Sequence, residues 1–336
     1  MDHWSRRQFV QGVGLAGLGL LAGCGRLPGQ AQAPTAGKIY RLGFLNGTNP
    51  AATAQILVIF RQALSELGYA EGQNLIIEYR WAEGNEARLA EPAVELARLP
   101  VDAFVVPSAG LARIAREAST TVPIILAGAG DLVAPGLAAS YARPGGNITG
   151  VINLSQQLDG KRLQLLKEAV PSISRVAVFW NAAGNGPYAA DTWGRHAQAV
   201  GVELQPMELR EPEEFAPAFE TAVREGADAL IIAPNPLAAA HRERIIELAA
   251  RLHWSAMYQQ RQFVDQGGLM AYDASLTDRW RRAAAYVDKI LKGATPADLP
   301  VEQPTTFDFV INLKTAQALG LTIPQQVLLQ ATEVIQ

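Results

Sequence analysis

The sequence predicts an α/β protein built from two successive parallel-sheet series, on three observations. Short β-rich runs alternate with longer stretches whose apolar residues recur at helical spacing. A turn-rich break, Arg143-Pro144-Gly145-Gly146-Asn147, separates two series of similar size. The 336 residues are 49% hydrophobic, enough to fill the cores of about two domains. Such alternation places each sheet between helices that cover both of its faces.

In the first series, residues 39–45 read as a strand that stops at the turn-like Asn46-Gly47-Thr48. Residues 55–67 carry Ile56, Ile59, Phe60, Ala63, Leu64 and Leu67 on one helical face and end at Gly68, a natural C-cap. A strand at 75–81, a helix at 86–98 and short buried strands at 103–106 and 123–126 follow. The second series runs helix 160–170, strand 175–180, helix 189–200, strand 202–207, helix 213–225, strand 229–233 and helix 237–251. Strands near 256–258 and 268–271 come next, then a helix at 278–292 whose basic C-terminal end suits the helix dipole. Two α/β units in succession predict two lobes around a cleft. Ligands of open parallel sheets bind at the carboxyl ends of the strands, so the space between the lobes is the expected pocket.

The first residues address the chain to the outside. Ser5-Arg6-Arg7-Gln8-Phe9 precedes an apolar run at 10–22, about the length of a signal h-region and too short to span a bilayer. The arginine pair resembles a twin-arginine export signal. Leu21-Ala22-Gly23-Cys24 resembles the lipobox of bacterial lipoproteins, which implies removal of residues 1–23 and lipidation of Cys24. Residues 25–37, rich in Gly, Pro, Gln and Ala, read as a flexible tether after that cysteine. The expected product is an exported periplasmic or cell-surface lipoprotein. Cys24 is the only cysteine, so no intramolecular disulfide can form. The net charge of −3 gives no basic excess suited to nucleic acid.

Each common catalytic pattern fails. Gly12-Val13-Gly14-Leu15-Ala16-Gly17 matches a dinucleotide fingerprint but lies inside the signal, with no strand before it. Gly160-Lys161 has Ser155 where a phosphate-binding loop needs glycine and Arg162 where it needs Ser or Thr. His3, His196, His241 and His253 lack metal-ligand spacing, and no GxSxG elbow occurs. No cofactor, metal or enzymatic activity is expected. What recurs is a polar residue just after a predicted strand: Asn46, Thr48, Ser108, Asp131, Asn153, Asn181, Asn235, Gln259 and Asp273. Such groups can hydrogen-bond a polar solute, and each alone is equally a turn residue. Trp180, Tyr188 and Tyr258 lie near the same ends and can stack on a ring or pack in the core. Tyr188 joins the nine polar residues as a candidate ligand contact.

Several segments resemble the bacterial ABC-transporter substrate-binding proteins that include tryptophan and other aromatic-amino-acid binders. They are Leu67-Gly68-Tyr69-Ala70-Glu71-Gly72-Gln73-Asn74, Glu78-Tyr79-Arg80-Trp81-Ala82-Glu83-Gly84, residues 142–150, Gly160-Lys161-Arg162-Leu163 and, most specifically, residues 286–324. The resemblance implies a type I periplasmic-binding-protein fold, with two doubly wound parallel-sheet lobes joined by three crossing segments. Lobe one is expected to hold 38–150 plus 272–300, and lobe two 151–271 plus 301–336. The prolines of the crossover beginning at Pro300, with Gln303, are expected to fix the hinge. The implied function is capture of a small polar ligand, an amino acid or related compound, by hinge closure, and delivery to an ABC permease and ATPase. The expected working form is a monomer held to the membrane through Cys24. The alternative is a binding protein that feeds a membrane receptor or kinase. Ala271 and Asp273 stand where the family commonly has Ser and Gly, and Leu132 where it has Pro, so the aromatic ligand does not carry over. An Asp273 carboxylate in the cleft favours a ligand bearing an amino group.

Overall fold

β1 (Tyr40–Asn46) begins a five-stranded parallel sheet of order β2-β1-β3-β4-β5, completed by β2 (Leu75–Trp81), β3 (Ala103–Ser108), β4 (Ile124–Ala129) and β5 (Ile148–Asn153). The computed structural model describes residues 38–83, 88–181, 190–233 and 235–336. The export signal, Cys24, the tether and Tyr188 lie outside these residues. The sheet alternates its core between two faces. Leu42, Phe44, Val105 and Ile125 pack under α1 (Pro50–Glu66), while Leu45, Phe104, Val106 and Leu126 face α2 (Ala90–Arg98) and α3 (Ala109–Ala118). Burial on both faces explains why these strands read as near-continuous apolar runs.

After β5 the chain passes through a 3-10 turn (Ser155–Leu158) into α4 (Asp159–Ala169) and the second lobe. The second sheet has order β12-β11-β10-β9-β8-β6-β7 and is parallel except at β10–β11. Its strands are β6 (Arg175–Trp180), β7 (Glu203–Glu208), β8 (Ala229–Ile232), β9 (Ser255–Tyr258), β10 (Met270–Ala274), β11 (Phe307–Asn312) and β12 (Glu333–Ile335). Between β6 and β9 run α5 (Ala190–Val200), α6 (Phe215–Arg224), α7 (Pro236–Ala240) and α8 (Arg242–Arg251). α9 (Arg261–Asp265) then links β9 to β10.

The 237–251 helix of the sequence reading is therefore two pieces broken at His241, because Asn235 and Pro236 start a short capped helix of their own. The segment foreseen as helix from 213 starts as a 3-10 turn over Pro212–Glu214. β10 stays in the second sheet through Ala274, where the expected lobe boundary fell at 272.

From β10 the chain returns to the first lobe as α10 (Leu276–Leu291), which packs on α1, β4 and β5. Its Trp280 is fully buried against Phe44 and Phe60, with ring centroids 5.9 and 5.5 Å away. Residues 301–306 then make the third crossing, into β11, followed by α11 (Leu313–Ala318) and α12 (Gln325–Leu328). The crossings are tied to one another. Glu302 N donates to Gly150 O at 2.9 Å, Ile152 N to Glu302 O at 2.9 Å, and Ser275 N to Thr306 O at 2.9 Å. Glu302, not the exposed Gln303, makes the pairing at this hinge. Gly150 is required there: its φ is +129°, and a Cβ would sit 2.2 Å from Leu126 O.

Candidate functional site

The carboxyl ends of the two sheets meet where β5 and β10 finish. Asn153 Nδ2 donates to Asp273 Oδ1 at 3.3 Å, joining the last residue of one sheet to a strand of the other. At a second point, Gln262 Nε2 of α9 donates to Gln55 Oε1 of α1 at 3.4 Å, so the lobes also touch helix to helix. The other strand-end polar residues form two rows, one at the carboxyl end of each sheet.

The first row is mostly engaged in local structure. Asn46 Oδ1 accepts from both the backbone N and the Oγ1 of Thr48, each at 2.9 Å, closing the turn after β1. Ser108 ends β3 and caps α3, its Oγ accepting from Leu111 N at 3.3 Å. Asp131 Oδ1 accepts from Val133 N at 2.7 Å and from the Tyr141 hydroxyl at 2.6 Å. Burial opposes ionisation of Asp131, yet these hydrogen bonds hold its carboxyl below the usual range. Burial, aided by the same contact, pushes the Tyr141 hydroxyl up to about 12.

In the second row, Asn181 Nδ2 donates to Leu209 O at 2.6 Å. Asn235 caps α7, accepting from Ala238 N at 2.7 Å while its Nδ2 donates to Ala233 O at 2.8 Å. Gln259 differs. It follows β9 directly, is 2% exposed, and both atoms of its carboxamide lack a hydrogen-bond partner among the described residues. Leaving such a group unpaired costs about 1–3 kcal/mol. Tyr258 is fully buried and stacked on Phe263 at 4.7 Å, which makes it a core ring and not a platform for a ligand. Trp180 is half-buried at the end of β6.

Asp273 is held by a residue that sequence reasoning passed over. Arg162 is fully buried and uses all its donors. Nε reaches Tyr272 O at 2.8 Å, Nη1 reaches Ser155 O and Asp159 Oδ1, both at 2.8 Å, and Nη2 reaches Ser155 Oγ at 2.7 Å and Asp273 Oδ1 at 3.2 Å. Ser155 Oγ also donates to Asp273 Oδ1 at 3.1 Å. Burial pushes the Asp159 carboxyl up to about 6 against the opposing pull of Arg162. The signal was Gly160-Lys161-Arg162, quoted for family likeness and for a failed phosphate loop; its guanidinium serves the hinge. Among the described residues, no cluster of three or more His, Cys, Asp or Glu side chains is suited to a metal ion. Nor is any described helix long and apolar enough to cross a membrane.

Residues 50–335 match the family described as ABC transporter substrate binding protein. The chain belongs to that family. Its members bind solutes without catalysis, so the chain is a binding protein and not an enzyme. A solved ABC domain from Streptococcus pneumonia in complex with L-Trp is 25% identical, with a TM-score of 0.77 over 88% of this chain and 99% of that one. A ligand-free, open substrate binding protein with adhesive properties from Clostridium difficile is 22% identical, with a TM-score of 0.70 over 89% of this chain and 100% of that one. The tyrosine-binding protein of Clostridioides difficile (strain R20291) is 23% identical over 263 residues, 78% of this chain and 75% of its own length. The two lobes and three crossings are those of the type I periplasmic-binding-protein fold.

Proposed function

We propose that this member of the family is exported, lipidated at Cys24, and captures a small polar solute, an amino acid or related compound, between its lobes. The observation that carries the reading is the meeting of two rows of polar strand ends across a hinge. A solute that bonds both rows favours the closed state by its differential affinity for that state, with no bond made or broken. The closed pair of lobes then docks on a permease, and a separate ATPase subunit drives release. The relatives that bind L-Trp and tyrosine support an amino acid as the class; Asp273, with one oxygen unused among the described residues, supports an amino group on the ligand. Asn153, Gln259 and Asp273 are the strongest direct contacts of the ten sequence candidates. Asn46, Thr48, Ser108, Asp131, Asn181 and Asn235 shape the wall, and Tyr188 stays a candidate.

Thermal-shift screening against amino acids, nucleosides, sugars and small carboxylates tests the reading. A solute at about a hundred times its dissociation constant stabilises the fold by about 2.7 kcal/mol. Conversion of a stabilising solute into a product would contradict it. Labelling with a radioactive lipid precursor tests the anchor: wild type takes up label and Cys24→Ala does not.

A further inference from the structure

The charged groups at the hinge end of the cleft are unevenly satisfied. Asp273 and Asp308 stand directly opposite each other on antiparallel β10 and β11. Like charges so placed destabilise a strand pair unless something answers them. Arg162 and its neighbours occupy one oxygen of Asp273. Neither its other oxygen nor the Asp308 carboxylate has a hydrogen-bond partner among the described residues.

Arg279 lies in the first turn of α10, on the other lobe, and its charge acts on both carboxylates. Loss of hydration lowers its pKa, the mark of a guanidinium closely ringed by protein. Its Nε is shut from solvent without a hydrogen-bond partner among the described residues. The residue nevertheless keeps part of its accessible surface, as do Asp273 and Asp308. Three partly accessible charges, drawn from both lobes, therefore stand within electrostatic reach of one another.

If Arg279 only neutralised the two aspartates, it would close an ion pair with one of them. No Arg279 nitrogen comes within ion-pair distance of either carboxylate. The three groups instead leave a cation with free N–H donors beside two carboxylates with free oxygens. That is the complement of a zwitterion, since a guanidinium fork takes a carboxylate in two parallel hydrogen bonds and carboxylates take an ammonium.

Resting on the solute-binding reading above, we propose that Arg279 anchors the carboxylate of the captured solute, while Asp308 and the free oxygen of Asp273 receive its ammonium. The rest of the solute then points along the cleft toward Gln259. Arg279 is a specificity-determining residue that the sequence hid inside a helix. Asp308 was hidden in the same way inside a strand.

The test uses the full chain and isothermal titration with the common L-amino acids. For each amino acid that binds, its C-terminal amide keeps the ammonium and loses the carboxylate charge, and its N-acetyl derivative does the reverse. The wild type is expected to bind the amide about tenfold or more weakly than the acid, and Arg279→Gln to lose a similar factor for the acid and little for the amide. Arg279→Lys, which keeps the charge and loses the fork, falls between them and covers the case in which Arg279→Gln does not fold. Asp308→Asn shows the matching loss for the ammonium. Equal binding of acid and amide by the wild type overturns the proposal, as does an unchanged acid-to-amide ratio in both Arg279 variants. Binding of a sugar or nucleoside with no amino acid bound overturns the anchor and leaves the solute-binding reading standing. No solute bound at all removes both.

Discussion

The two rows of strand-end polar residues look alike in sequence and differ in what their side chains do. Along the first sheet, Asn46, Ser108 and Asp131 close a turn, cap a helix and hold a tyrosine. Near the end of the second sheet, among the described residues, Gln259 has no partner and Asp273 keeps one oxygen free, and Arg279 at the start of α10 closes no ion pair. Turn-forming residues and the proposed solute contacts are thus the same chemical types. Whether the neighbouring backbone has already claimed the side chain separates them. Most side chains of the first row are claimed locally, while the hinge end of the cleft gathers unclaimed polar groups from both lobes.

The largest expected effect comes from removing the clamp between these regions. Arg162→Leu leaves Asp159 buried without its cation and frees Asp273, and is expected to cost about 3–5 kcal/mol in urea denaturation. A loss well below that range would mean the clamp is not what fixes Asp273. Next is Gln259→Met, which keeps the volume and deletes the unpaired carboxamide. The solute-free protein should gain about 1–2 kcal/mol and lose solute affinity. Greater stability with unchanged affinity would move Gln259 from contact to wall.

Ser108→Ala and Asn235→Ala test the other side of the comparison, each removing a helix cap at a cost of about 1 kcal/mol while solute affinity holds. A large affinity loss with normal stability would return Ser108 or Asn235 to the contact set. The smallest effect is on pH dependence. Asp159 has its folded pKa raised from 3.8 to about 6, so the protonated form is favoured in the fold. Its contribution to stability is full below the unfolded pKa and falls as pH rises through about 6. Carboxyl NMR should show this titration, and Asp159→Asn should flatten that part of the stability profile.

The sheets were legible because their strands are unbroken apolar runs between turn signals. The reading of 75–81 and 175–180 coincides with β2 and β6 to the residue. α3 was missed because its buried face is made largely of small residues, Ala109, Ala112 and Ala115 beside Leu111, and because its cap, Ser108, read as a binding residue. β12 was invisible for another reason: three residues at 333–335 become a strand only by pairing with β11.

At the site, the row of strand-end polar groups could be read from turns and spacing. Arg162 and Arg279 could not, since each sits at an ordinary polar position of a helix. Only the chain's three crossings bring them to Asp273. Tyr258 shows what spacing leaves open: of its two readings, stacking surface or core ring, burial selects the core.

The central claim is that the two lobes close over an intact solute. Small-angle X-ray scattering of the full chain, with and without a solute that raises its melting temperature, measures this directly. A smaller radius of gyration on binding, with the solute recovered unchanged, is the predicted result. Saturation with no compaction would contradict the account.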